Sequence, residues 1–149
     1  QFVCHYNRKT KCIKISSWAG SPQWSRKAFG IFPMDLEFFI SMVTHEVAHS
    51  FFDSILESMG ETSAQSFHEF IANITQIETL KEPHKSKVLS LWSGEKLPSV
   101  YAINSFVWMA GPNKFSVLSF NFYKSQPMVI QEILAGKIIP VDKGFILDY

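Results

Sequence analysis

Phe38-Phe39-Ile40-Ser41-Met42-Val43-Thr44-His45-Glu46-Val47-Ala48-His49-Ser50-Phe51-Phe52 is the stretch of this 149-residue chain whose reading decides the fold. It contains no glycine or proline, and its apolar residues, continued by Ile55 and Leu56, spread around nearly the whole helical circumference. That is the pattern of a buried helix, expected over residues 35–58. Its two histidines stand four positions apart, a rotation of about 40°, so both rings can reach one cation. Glu46 lies about 100° from His45 and about 60° from His49. From that flank a carboxylate can touch a metal-bound water without displacing it. Burying two imidazoles and a glutamate on such a helix is costly unless they are paired or bind a metal.

Two protein ligands leave a metal incomplete. Ser66-Phe67-His68-Glu69-Phe70-Ile71-Ala72-Asn73 supplies a carboxylate with nineteen residues between His49 and Glu69. Apolar Phe67, Phe70, Ile71, Ile74 and Ile77 recur at helical intervals, and Thr62 to Gln65 has capping-box spacing after Gly60, so a second helix is expected over residues 63–80. Gln65, Glu69, Asn73 and Gln76 form its polar stripe, with Ala72 small enough to let the helices approach closely. His45, His49 and Glu69 then make a three-ligand set with a fourth position open for water, as catalytic zinc requires. His68 reads as a surface or pocket-wall histidine. Asp53, one turn beyond His49, reads either as a hydrogen-bond partner behind the ligands or as a carboxylate at the helix rim.

At these residues, from about Gly30 to Leu80, the chain resembles the gluzincin metallopeptidases, the thermolysin-like clan. There HExxH is followed on a second helix by a glutamate ligand, often within ExxxD, whose aspartate orients the first histidine. The resemblance implies zinc (Zn2+) held by His45, His49 and Glu69, with Glu46 as the catalytic carboxylate. The aspartate position is Asn73 here, whose amide oxygen can still accept from an imidazole but without the charge that raises ligand basicity. Metzincins are excluded at the level of motif, because their glycine and third histidine positions are Phe52 and Ile55. The wording Phe29-Gly30-Ile31-Phe32-Pro33 before the motif is similar to that of small uncharacterised zinc peptidases. The resemblance also implies an edge strand beside the active-site helix where a peptide could add, for which residues 13–16 are the candidate. It implies a later Tyr or His stabilising the oxyanion, for which Tyr101, Tyr123 and His84 are candidates.

Fourteen phenylalanines and 46% hydrophobic residues point to a densely packed chain. At 149 residues, one domain is expected over residues 1–149. The formal charge of +1 gives no footprint for nucleic acid or an anionic membrane. No apolar run approaches the length of a membrane span. Cys4 and Cys12, the only cysteines, suggest a disulfide pinning the N-terminus. With Gln1 in place of Met, this gives an expectation of a processed, secreted or periplasmic protein. Alternation over residues 12–17 predicts a strand, residues 19–24 a loop, and residues 28–32 a second short strand. Prolines at 83, 98, 112 and 127 separate expected helices over residues 84–92, 99–109, 113–123 and 128–135, before an extended tail over residues 137–149. Phe106, Trp108, Phe115, Phe120 and Phe122 are expected in the core rather than in a substrate pocket.

The expected fold class is α+β and mostly helical: a minimal zincin-like domain with a small N-terminal sheet and two central metal-binding helices. The expected function is zinc-dependent hydrolysis of peptide or protein substrates by a monomer. The alternatives are a catalytically weak or inactive zincin-like binding module, whose aromatic C-terminal half engages a partner, and a metal-free interaction protein.

Overall fold

Asp35 opens the principal helix: its backbone is extended, its carboxylate accepts the Phe38 N–H at 3.0 Å, and α1 runs Leu36–Ser58. The computed structural model describes residues 4–19, 27–60 and 64–138. After α1 come α2 (Gln65–Thr79) and α3 (His84–Ser90), then a 3-10 turn (Val100–Ala102), α4 (Ser105–Ala110), α5 (Pro112–Ser125) and α6 (Val129–Leu134). Four short strands precede α1: β1 (Cys4–Asn7), β2 (Cys12–Ile15), β3 (Lys27–Ala28) and β4 (Phe32–Pro33). The fold is mostly helical α+β, with β1 and β2 forming a small antiparallel sheet at the N-terminal side. No described helix is long and apolar enough to cross a membrane.

Helix α2 packs on α1 along one side and on α5 along another. Its Phe67, Phe70, Ile74 and Ile77 join Phe38, Phe52 and Leu56 of α1 and Phe115, Phe120 and Phe122 of α5 in one core. Each such side chain contributes about 1.5–3 kcal/mol by leaving water. Trp108 is only half-buried, and Phe106 is 79% exposed, so neither belongs to the buried core as expected. Nor is α1 buried all round. Leu36, Ile40, Val47 and Phe51 are exposed on it, because an evenly apolar helix carries no mark of which stripe faces solvent.

The cap of α2 is Ala64, which makes no side-chain cap bond, so Gln65 is the first helical residue rather than the third of a capping box. Thr62 lies outside the described residues, as do residues 20–24 of the expected loop and residues 139–149 of the expected tail. The helix expected over residues 99–109 is broken by Ile103, and Asn104 restarts it by accepting the Val107 N–H at 3.0 Å. The strand expected over residues 28–32 is a two-stranded hairpin instead. Its turn, closed by Ile31 N–H donating to Ala28 O at 3.1 Å, has positive φ at both Phe29 and Gly30.

Cys4 and Cys12 are free thiols, which corrects the expected disulfide. The antiparallel register sets Cys4 opposite Ile15 and Cys12 opposite Asn7, at opposite ends of the hairpin. Cys4 is buried against Phe39, and burial, with the charge of Glu46 adding to it, pushes its thiol up to about 12. Cys12 is exposed. What fastens the hairpin is buried Asp53 on α1. It accepts from Tyr6 Oη at 3.1 Å and pairs with Arg8 Nη2 at 2.9 Å and Lys11 Nζ at 3.2 Å.

Candidate metal centre

His45 and His49 project from successive turns of α1 toward Glu69 on α2. The two Nε2 atoms are 3.0 Å apart, His45 Nε2 is 3.5 Å from Glu69 Oε2, and His49 Nε2 is 3.6 Å from Glu69 Oε1. Ligands about 2.0–2.1 Å from a tetrahedral ion stand about 3.3 Å from one another. The triangle therefore has the size and the donor chemistry of a three-ligand metal site, and these three residues could hold an ion.

A chain of hydrogen bonds fixes which nitrogen of His45 faces that triangle. Ser41 Oγ donates its single proton to Phe38 O at 2.8 Å, so its oxygen must accept, and Gln76 Nε2 donates to it at 3.3 Å. The Gln76 carbonyl oxygen is thereby turned to accept from His45 Nδ1–H at 3.1 Å. Nε2 is the nitrogen left facing the triangle, within reach of Glu69, and the one a metal would take in exchange for a proton. Gln76 does what was expected of Asn73, one turn earlier on the same stripe. The Asn73 Oδ1 accepts from Ser116 Oγ at 2.7 Å. Asp53 is likewise not the partner of His49, since its oxygens are engaged by Tyr6, Arg8 and Lys11.

Protonation follows from burial and charge. Burial lowers His49 to about 3, with His45 adding to the effect, so its ring is neutral. Burial alone would raise Glu69, but the hydrogen bond from His45 and the polar surroundings of the two imidazoles outweigh it and hold the carboxyl below its usual range. Burial alone would lower His45, yet the hydrogen bond and charge of Glu69 raise it. A neutral imidazole and an ionised carboxylate are the forms in which such groups bind metals. Gln65 Nε2 donates to Glu69 Oε1 at 2.8 Å and steadies the carboxylate.

Glu46 is raised chiefly by burial, and its Oε2 accepts the Tyr6 backbone N–H at 2.7 Å. That bond also shows that β1, and not residues 13–16, is the strand bordering the centre; β2 pairs with β1. Both β1 and Gln76 escaped the sequence reading, although Gln76 stood on the polar stripe and offered a signal. His68 is buried rather than on the surface: it stacks on His49 at 6.1 Å, meets Phe52 edge-on at 4.7 Å, and its Nε2 is 3.7 Å from Asp53 Oδ1.

A cavity of about 420 Å³ opens on the centre, lined by His45, Glu46, Glu69, Asn73 and Gln76 on one side and by Lys27, Phe29, Trp108 and Asn113 on another. None of the three oxyanion candidates lines it. His84 Nε2 is paired with Asp35 Oδ2 at 2.6 Å, Tyr101 is exposed, and Tyr123 packs against the core. The amides of Asn73 and Asn113 and the indole of Trp108 are the neutral side-chain N–H donors of the cavity besides Gln76.

No curated protein and no solved structure gives a match. A family model matches residues 1–142, and the chain belongs to that family, DUF6639, a family of unknown function.

Proposed function

We propose that the protein is a zinc-dependent hydrolase of peptide bonds, of gluzincin type. The observation that carries this reading is the His45, His49 and Glu69 triangle, with Glu46 lining the same cavity beside it. A structural metal site does not require a second, non-ligating carboxylate beside its ligands. Zinc bound there supplies a water of pKa about 7 and polarises a carbonyl. The residues of the chain do the rest. Gln76 holds His45 in the ligating tautomer. The Tyr6 N–H holds Glu46 Oε2 at 2.7 Å, so Oε1 is the oxygen left to take a proton from a water and pass it to a leaving amine. Burial favours that transfer by raising the carboxyl of Glu46 toward the range of a useful base.

Glu46→Gln tests the mechanism. It should keep one zinc per chain and the fold while abolishing cleavage of a peptide library; unchanged cleavage would refute the role of Glu46. The alternative, a weak or inactive zincin-like binding module, is favoured by Tyr101, Tyr123 and His84 lying away from the cavity. Stoichiometric zinc without cleavage by the unaltered protein would select it.

A further inference from the structure

We propose that the cavity beside the metal centre is a carboxylate-recognition site, in which the Lys27 ammonium and the Asn113 amide hold a carboxylate of the peptide. The peptide rests on the function proposed above, whereas the selectivity for a carboxylate can be read without any hydrolysis.

Three observations converge. Besides the ligand His45, Lys27 is the basic residue lining the cavity, and it makes no ion pair among the described residues. The acids of the lining are Glu46 and Glu69, whose two charges match those of a dication. Lys27 and Asn113 are exposed at the mouth of the cavity, and with a divalent metal in place Lys27 is the charge of the lining that no acid of the lining offsets, so an anionic ligand would be its counterpart there. Asn113 stands in the first turn of α5, where the helix dipole also favours an anion, and its amide donates to nothing among the described residues. The β3–β4 turn is built around that amide: a Cβ on Gly30, which has φ +75°, would lie 2.7 Å from Asn113 Nδ2. Glycine there lets the strand that carries Lys27 close onto the residue that carries the second donor. Bonds from an ammonium and an amide to an ionised carboxylate are charge-assisted and roughly twice as strong as neutral ones.

The remaining wall carries the large apolar side chains of Phe29, Met34, Met42 and Trp108 beside the neutral polar Asn73, Gln76 and Ser116, with no further acid or base. The volume of about 420 Å³ suits one side chain plus its carboxylate. Such a lining fits the free C-terminal carboxylate of an apolar residue better than an acidic side chain.

The test is calorimetric binding to the zinc-loaded protein, with N-acetylphenylalanine, N-acetylphenylalaninamide and N-acetylglutamate α-amide as probes. N-acetylphenylalanine should bind at least about tenfold more tightly than its amide, as expected for charge-assisted hydrogen bonds. Lys27→Met should abolish that preference at unchanged zinc stoichiometry and melting temperature, and Lys27→Arg should keep most of it. Preferred binding of the glutamate probe would retain the carboxylate site but move the source to a side chain. Equal binding of acid and amide overturns the proposal, and so does a preference that survives Lys27→Met, which would belong to the metal. Since no cleavage is measured, these outcomes stand apart from that of Glu46→Gln.

Discussion

Replacing Gln76 by Met should weaken zinc binding without touching a ligand. The substitution keeps the length of the side chain but removes both the oxygen that accepts from His45 Nδ1–H and the amide that donates to Ser41. The ring of His45 is then free to carry its proton on Nε2, the nitrogen the metal needs, and must shift it before it can ligate. Losing the partner behind a ligating histidine costs about 10–100-fold in metal affinity. That corresponds to about 1.4–2.7 kcal/mol. Two hydrogen bonds at a net of about 0.5–1.5 kcal/mol each give a comparable loss of stability in the metal-free protein. Competition against a chromophoric chelator reads the first quantity and urea denaturation the second. Asn73→Ala is the control, because the Asn73 oxygen is bonded to Ser116, and it should change zinc affinity by no more than about twofold. Wild-type affinity in Gln76→Met, or an equal loss in Asn73→Ala, would refute the assignment.

Three further outcomes follow from the same geometry. Glu69→Gln keeps the shape of the third ligand but loses its charge, and should abolish stoichiometric zinc binding at micromolar metal, measured by elemental analysis after gel filtration. Asp53→Asn should destabilise the fold by about 2 kcal/mol, since it breaks the charged grip on the hairpin. Burial alone would raise Asp53, but Arg8 outweighs it and holds the carboxyl below its usual range. A folded-state pKa below the unfolded one gives stability that is complete above about pH 4 and is lost as pH falls through the folded value. The gap between wild type and variant should therefore shrink from pH 7 to pH 2, and an unchanged gap in urea titrations would remove the carboxylate from the account. Asp35→Ala removes the α1 cap, which should cost about 1 kcal/mol. Calorimetry should show this as a fall of about 2–4 °C in melting temperature.

Much of the centre was legible in the chain because it depends on local periodicity. The spacing of His45, His49 and Glu69 on two apolar helices, and Asp35 at the head of α1, are features that helical geometry translates directly into space. What escaped depends on contacts between residues far apart in the chain. Gln76 meets His45 and Ser41 across the α1–α2 packing, and Asp53 meets Tyr6, Arg8 and Lys11 over more than forty residues. No spacing rule relates such pairs. Strand β1, Cys-His-Tyr-Asn, is too short and too polar to show alternation, and its pairing with β2 is what separates the two cysteines. The exposed stripe of α1 escaped for the opposite reason, since a helix apolar on every side does not announce its outer face.

The hydrogen-bonded chain behind His45 leaves the carbonyl of Phe38 on α1, crosses to a single amide on α2, and returns to the α1 imidazole two turns further on. Sliding one helix past the other by a single residue would sever it at both ends while leaving every ligand in the sequence. Affinity for a metal held there would thus gauge interhelical register. Core substitutions remote from the ion that shift α2 along α1 should announce themselves first as leakage of metal, before any loss of helix content.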